Sequence, residues 1–207
     1  MDYILFGIQG SGKGTQGKIL AEKIAAAYFE TGGELRRLSS ENSDLGKKVK
    51  SIIEAGHLVP NEVVMEIVEN FMEKNGGTPI IFDGIPRNKE QDTSLRAVLE
   101  KHNRNYTGIY FELSREEAEK RLLKRRICVK CKTVYPAFYT NEKCECGGEL
   151  QTRSDDNEAS IRTRIDIFYK ETVPVVDGWK NNGKILALDA AGTIEQVTKE
   201  LFEKINV

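Results

Sequence analysis

Short apolar runs alternate with amphipathic stretches along most of the chain. Tyr3-Ile4-Leu5-Phe6, Pro79-Ile80-Ile81-Phe82, Ile109-Tyr110-Phe111-Glu112-Leu113 and Lys184-Ile185-Leu186-Ala187-Leu188 are near-continuous apolar runs of strand length. That pattern belongs to strands buried on both faces. Tyr28-Phe29-Glu30-Thr31 reads as a further short strand. The stretches between them repeat at helical spacing. A first helix over 17–27 carries Ile19, Leu20 and Ile24, and a short one passes through Leu35-Arg36-Arg37-Leu38. Asp44 to Ala55 presents Leu45, Val49, Ile52 and Ile53, and Gly56 closes it. Asn61 caps a helix whose core face is Val63, Val64, Ile67, Val68, Phe71 and Met72. Residues 88–102 carry Leu95, Val98 and Leu99. Ser114 and Glu117 make a capping box for the helix holding Leu122 and Leu123. A long helix starts near Asn157 and is kinked or restarted at Pro174, and Thr193 caps a last one bearing Val197 and Leu201.

The alternation implies an α/β fold, a parallel sheet covered on both faces by helices. Two stretches interrupt it. Residues 31–59 are helical with few large apolar side chains, and 127–152 lose the pattern altogether among cysteines, aromatics and turn residues. On a parallel sheet, ligands sit beyond the carboxyl ends of the strands. Gly7-Ile8-Gln9-Gly10-Ser11-Gly12-Lys13-Gly14-Thr15-Gln16 and Asp83-Gly84-Ile85-Pro86-Arg87 both fall at such ends.

Composition adds bounds. The chain has 207 residues, 39% hydrophobic and 30% charged, enough for one core with insertions. Its 31 basic and 32 acidic residues give a net charge of −1, which argues against a dedicated nucleic-acid binder. No apolar run approaches the ~20 residues needed to cross a bilayer, and the first strand starts without a signal-peptide pattern. The expectation is a cytoplasmic protein with no membrane partner. No helix shows an obvious spare apolar face, which favours a monomer.

The Gly-rich stretch carries the clearest chemistry. A Gly-x-x-x-x-Gly-Lys turn between a buried strand and a helix lets backbone N–H groups converge on a phosphate at the positive end of the helix dipole. Lys13 adds a mobile charge for the β- and γ-phosphates. The usual pattern has Ser or Thr directly after the lysine, to bind magnesium, whereas here Gly14 stands there and Thr15 follows.

That Gly-Lys-Gly-Thr ending resembles nucleoside monophosphate kinases. Along essentially its whole length the chain resembles the long-lid adenylate kinases. The resemblance rests on the loop with Gln16, on Thr31-Gly32-x-x-Leu35-Arg36, on Leu58-Val59 and on Asp83-Gly84-Ile85-Pro86-Arg87 with Gln91. Arg121, Arg125-Arg126, the cysteine-bearing insert, Arg153-x-Asp155-Asp156 and Arg164 complete it. It implies a P-loop NTPase-type core of 1–29, 60–123 and 157–207. A monophosphate-binding insert would span 30–59, and a zinc-ribbon-like lid 124–156. It implies magnesium-dependent phosphoryl transfer from ATP to AMP, giving two ADP. ATP would lie on Gly10, Ser11, Gly12, Lys13, Gly14 and Thr15, with Arg121 against its adenine and Arg125 on its phosphates. AMP would meet Thr31, Arg36, Leu58, Val59, Gly84, Arg87 and Gln91, with Arg153 and Arg164 beside the moving group. Asp83 would hold magnesium through water. Lys13, Asp83, Arg87, Arg125, Arg153 and Arg164 would form the catalytic set.

The physical demand agrees. Two nucleotides face to face bring about six negative charges together, and phosphoryl transfer asks mainly for positioning and neutralisation. Arginine's planar fork suits phosphate oxygens. Asp155-Asp156 has two readings, a charge pair at a helix N-terminus or a part of lid closure. Three departures stand out: Gln9 for the family's Pro, Ile85 for its Phe, and Gly33 for the Asp of its Thr-Gly-Asp element. The last removes a carboxylate thought to help order magnesium's water shell. Rate or metal dependence is then expected to be altered, and Gly33→Asp to raise turnover or lower the magnesium needed, unless another group supplies the acid or the backbone at 33 needs a positive φ.

Four cysteines lie between 128 and 146, as Cys128-x-x-Cys131 and Cys144-x-Cys146. In a reducing compartment, clustering favours a structural Cys₄ zinc site over disulfides, with free thiols as the alternative. The second spacing is one residue short, which leaves room for Glu142 or Glu145 as a substitute ligand. The insert's apolar content is Val129, Val134, Tyr135, Phe138 and Tyr139. Three rival functions remain: a kinase for another monophosphate, a catalytically weakened nucleotide-binding homologue, and a zinc-ribbon nucleic-acid binder.

Overall fold

The computed structural model describes residues 1–136, 139–153 and 155–207. Five parallel strands form the main sheet: β1 (Asp2–Gly7), β2 (Ala27–Glu30), β3 (Ile80–Asp83), β4 (Tyr106–Glu112) and β8 (Ile185–Asp189). Their order is β2-β3-β1-β4-β8. The apolar runs bury both faces. Ile4, Phe6, Phe29 and Phe82 join one core with Val68, Leu95 and Trp179. Tyr3, Leu5, Ile81 and Phe111 join another with Leu20, Val197 and Leu201. Burying one large apolar side chain contributes about 1.5–3 kcal/mol, so these strands are held by packing on both sides. The expected α/β architecture is present.

Boundaries moved where glycine hid the pattern. Helix α1 covers Lys13–Lys23, not 17–27. It starts inside the phosphate loop, on Gly12 at φ 84. Gly17 looks like a weak point in a helix, but a Cβ there would lie 2.6 Å from Leu5 Cδ1 and 2.7 Å from Tyr28 Cε2. The helix thus lies against the sheet only because position 17 has no side chain. Strand β4 likewise starts earlier than Ile109, and its Gly108 makes room for Trp179 and Ile185.

Two helices cross the first interruption, α2 (Thr31–Ser39) and α3 (Asp44–Glu54). The first begins at Thr31, with no break through Gly32-Gly33. Helix α4 (Asn61–Lys74) is capped by Pro60, and Asn61 is its first residue, with Nδ2 reaching Ser94 Oγ at 3.0 Å. Helices α5 (Lys89–Lys101) and α6 (Arg115–Leu123) follow. Ser114 accepts from the Glu117 N–H, but the Glu117 carboxylate turns to Arg121 at 3.1 Å, so the capping box is half made. Helix α7 (Glu158–Ile167) runs through a π-helical turn (Phe168–Thr172) into α8 (Val173–Asn181), so Pro174 falls at a helix start. Helix α9 (Ile194–Ile205) packs along α1.

The second interruption folds as a small antiparallel sheet of β5 (Arg126–Cys128), β6 (Val134–Tyr135) and β7 (Leu150–Gln151), ordered β6-β5-β7. Among the described residues its buried cluster is Cys128, Tyr135 and Cys144, with Tyr139 and Leu150 against them, and Ile127 is buried as well. Phe138, expected among its apolar residues, lies outside the described residues. Among those described, no helix is long and apolar enough to cross a membrane.

Candidate active site

A cavity of about 890 Å³ lies beyond the carboxyl ends of β1, β2 and β3. The loop from Gly10 to Thr15 lines one end, with Arg121 and the 190–195 segment. Thr31, Arg36, Leu58, Val59, Gly84 and Gln91 line the other. Lys13, Asp83, Arg87, Arg125, Arg153 and Arg164 also line it. The residues expected in the site from sequence therefore meet in one space.

The loop curls at Gly7, Gly10 and Gly12, all at positive φ. Of the four buried side-chain oxygens without a partner among the described residues, three belong to cavity-lining residues: Gln9 Oε1, Ser11 Oγ and Thr31 Oγ1. Buried polar atoms are seldom left so, and orphans on a cavity wall suit a polar ligand. Burial lowers the Lys13 pKa, while the nearby Asp83 carboxylate opposes that shift. Asp83 is itself fixed, its Oδ2 accepting from the Tyr28 hydroxyl at 2.7 Å. Burial and that carboxylate push the Tyr28 pKa up, so it stays a donor. Gly14, the residue in place of Ser or Thr, faces this pair: a Cβ there would stand 3.2 Å from Asp83 Oδ2.

Arg121 is spread flat by three acceptors, Glu117 Oε1 at 3.1 Å, Ala190 O at 3.0 Å and Ala191 O at 3.2 Å. Its guanidinium forms a shelf at the loop end of the cavity. At the other end the Arg87 N–H donates to Gln91 Oε1 at 2.8 Å. That contact fixes the amide's orientation and leaves its NH₂ to donate. Arg87 Nε donates to Gly84 O at 2.8 Å, and Thr172 Oγ1 in the π-helical turn donates to Arg87 O at 2.7 Å. Burial lowers the Arg87 pKa.

The remaining arginines share two acids. Arg125 grips Asp156 bidentately at 2.8 and 2.7 Å. Arg164 reaches Asp156 Oδ1 at 2.6 Å and Asp155 Oδ2 at 3.2 Å. Arg153 Nε donates to Asp155 Oδ1 at 2.8 Å. Burial pushes the Asp155 carboxyl up, but Arg153, Arg164 and Arg125 outweigh it and bring its pKa to about 2. Asn157 is the cap of α7, so the two acids stand just before its first turn, and their carboxylates are taken up by arginines. They hold three cations in one wall.

Sequence reasoning missed several of these roles. Tyr28 and Glu30 had been assigned only to a strand, and Thr172 to nothing. Glu30 lines the cavity, and its Oε1 accepts from Arg36 Nη2 at 2.7 Å. The position of Glu30 at the end of a strand beside the phosphate loop was the available signal.

The cysteines converge. Among the described residues Cys128, Cys131, Cys144 and Cys146 place their Sγ atoms within 4.8 Å of one another, with no carboxylate in the set. Cys128–Cys146 and Cys131–Cys144 are 3.6 and 3.4 Å apart. A tetrahedron with Zn–S bonds of ~2.3 Å has edges of roughly 3.8 Å. The cysteines are free. Cys128 Sγ accepts from the N–H groups of Lys130 and Cys131 at 3.3 and 3.4 Å, and Cys144 Sγ from that of Cys146 at 3.5 Å. Such donors favour thiolate. The short Cys144-x-Cys146 spacing works because Gly147, at φ 78, turns the chain back on Cys144 O. Gly148 then passes so close that a Cβ would lie 2.6 Å from Cys128 Sγ. The cluster supports a structural zinc site.

Comparison with known proteins gives the same assignment. The family model described as adenylate kinase matches residues 5–184. The chain is 35% identical over 209 residues to the adenylate kinase of Fervidobacterium nodosum, covering 98% of this chain and 96% of that protein. It is 36% identical over 208 residues to that of Petrotoga mobilis, with 98% and 96% covered. With that of Streptomyces coelicolor it shares 35% over 215 residues, with 99% and 98% covered. Loop, arginine wall and cysteine cluster, together with these matches over nearly its whole length, mean that the chain belongs to the adenylate kinase family of enzymes.

Proposed function

We propose that the chain catalyses reversible, magnesium-dependent phosphoryl transfer from ATP to AMP, yielding two ADP. One observation carries this reading: a single cavity is lined by a phosphate loop, by the Gln91 amide, and by seven buried or half-buried cations, Lys13, Arg36, Arg87, Arg121, Arg125, Arg153 and Arg164. In this reading Gly10 to Thr15 hold the triphosphate and Arg121 stacks on its base. Thr31, Leu58, Val59, Gly84 and Gln91 enclose the monophosphate's base, and Arg36 and Arg87 bind its phosphate. Lys13, Arg125, Arg153 and Arg164 neutralise charge on the group in transit, the main task in such transfers.

Magnesium suits the acids present. Asp83 is a buried carboxylate at a strand end, oriented by Tyr28 and next to Lys13. A hard oxygen donor beside the phosphates fits a cation that keeps several waters. When bound it would neutralise charge on the phosphates. The chain's part is to hold that site and exclude bulk water as the inserts at 30–59 and 124–156 close on the core of 1–29, 60–123 and 157–207.

The test is a coupled assay of ADP formation with AMP, UMP, CMP and GMP as acceptors, with and without magnesium. Turnover confined to AMP and dependent on magnesium is expected. Preference for another monophosphate would reassign the acceptor, and ATP binding without any turnover would make the chain a weakened homologue.

A further inference from the structure

Gly33 departs from the family's Thr-Gly-Asp element, and besides a plain loss of the acid two explanations were open. A need for positive φ fails: Gly33 lies within helix α2 and is not among the glycines at positive φ. The other explanation has a candidate in the cavity. A Cβ built on Gly33 would sit 3.4 Å from Glu30 Cδ and 3.5 Å from Glu30 Oε2. The Glu30 carboxylate therefore lies within ordinary van der Waals contact of a side chain at 33.

Glu30 also has a fixed relation to Asp83. In the parallel register of β2 and β3, Glu30 is the partner of Asp83, each the last residue of its strand. Directly opposed residues on neighbouring strands share a face of the sheet. On that same face Tyr28, two residues before Glu30, reaches Asp83. Both acids line the nucleotide cavity. Glu30 Oε1 is anchored by Arg36, and Lys18 Nζ lies 4.0 Å from Oε2. The charge of Glu30 acts on Lys13, Arg36 and Arg153 alike.

We propose that Glu30 is the second acid of this site, a positioning residue that has taken over from a carboxylate at position 33, so that the acid pair is Asp83 with Glu30. The acid has moved from the first turn of α2 to the end of β2, where it stands beside position 33. With Asp83, Glu30 orders the water around the nucleotide-bound divalent cation, and it holds Arg36 towards the monophosphate. This rests on the function proposed above.

Three variants test it: Glu30→Gln, Gly33→Asp, and Glu30→Ser combined with Gly33→Asp. Glutamine keeps an oxygen for Arg36 but loses the charge, which separates electrostatics from packing. The first readout needs no turnover and no AMP: Mn²⁺ binding to protein carrying ATP, from the electron paramagnetic signal of free Mn²⁺. Loss of an outer-shell partner typically weakens metal binding about tenfold or more, so Glu30→Gln is expected to bind Mn²⁺ about tenfold more weakly. It should need correspondingly more magnesium for half-maximal turnover. Gly33→Asp alone is expected to lower turnover, because it sets a second carboxylate against Glu30. The double variant should return to within about threefold of the parent in both readouts, a non-additivity expected only of groups that share one role. Unchanged Mn²⁺ affinity in Glu30→Gln, a gain in turnover from Gly33→Asp alone, or a double variant no better than Glu30→Gln would each overturn the proposal. A parent protein that binds Mn²⁺ and ATP but does not phosphorylate AMP would overturn the proposed function instead, and the Mn²⁺ comparison would still decide the role of Glu30.

Discussion

At the residue scale the site is a problem of buried charge. Lys13 is held in a desolvated position where burial lowers its pKa, and nearby Asp83 favours its charged form. Its ammonium is a cation on the cavity wall, proposed above to meet the phosphates. Lys13→Met keeps the volume and removes the charge. It is expected to lower turnover by about 10²–10³-fold, the scale of losing one transition-state donor. The thermal midpoint should fall little, since a desolvated charge is removed with it. Near-normal turnover would count against the role given to Lys13. Asp155 poses the opposite case, an acid pulled to about 2 from an ordinary 3.8, against its own burial, by Arg153, Arg164 and Arg125. A folded-state pKa below the unfolded one gives stability that is present above the ordinary value and lost as pH falls towards the folded one. Acid unfolding of the parent should therefore steepen between pH 3.8 and about 2. Asp155→Asn should be less stable at neutral pH and show a flatter curve across that window. Identical acid limbs in the two proteins would argue against the pairing.

At the element scale, what was legible in the sequence followed periodicity, and what was missed followed glycine and long-range contacts. The strands stood out because burial on both faces leaves no polar position to interrupt Ile80-Ile81-Phe82 or Tyr3-Ile4-Leu5-Phe6. The phosphate loop, the arginines and the cysteines were legible because their chemistry is tied to residue type and spacing. The start of α1 was not, since Gly14 and Gly17 are poor helix formers whose reason is a strand and a tyrosine elsewhere in the chain. Glu30 and Thr172 were missed because their importance lies in partners, Arg36 and the Arg87 carbonyl, that no local pattern shows. The same logic gives a prediction for the small antiparallel sheet. Gly148 keeps clear of Cys128 Sγ and of Lys130 Cβ, which a Cβ would approach to 2.6 and 2.9 Å. Gly148→Ala should therefore reduce bound zinc in elemental analysis although all four cysteines remain. Full retention of one zinc per chain would show that the turn relaxes at little cost.

At the scale of the whole molecule, the two inserts differ in what holds them. Leu35, Val49 and Val59 belong to the same core cluster as Phe29, Phe82 and Trp179, so α2 and α3 are continuous with the main core. The β5–β7 sheet has a separate cluster of Cys128, Tyr135 and Cys144, two of them proposed metal ligands. Among the described residues too few apolar groups are buried there to offset the entropy of ordering two dozen residues, at about 1–2 kcal/mol each. Metal binding at the cysteines would supply the difference, because its free energy becomes local folding free energy. Four sulfur ligands would fill a tetrahedron and leave no place for water, so a metal held there would take no part in the proposed transfer. Chelating the zinc should therefore unfold this sheet while the main core stays native. Amide exchange is expected to accelerate across 128–151 and to remain slow in β1, β3 and β4 and in α2 and α3. Turnover should fall because Arg125 and Arg153 flank the loosened segment, yet keep its dependence on magnesium. If the elements 31–54 and 128–151 lost protection together, the two inserts would be one cooperative unit with the core, and the zinc would be holding the whole molecule rather than its lid.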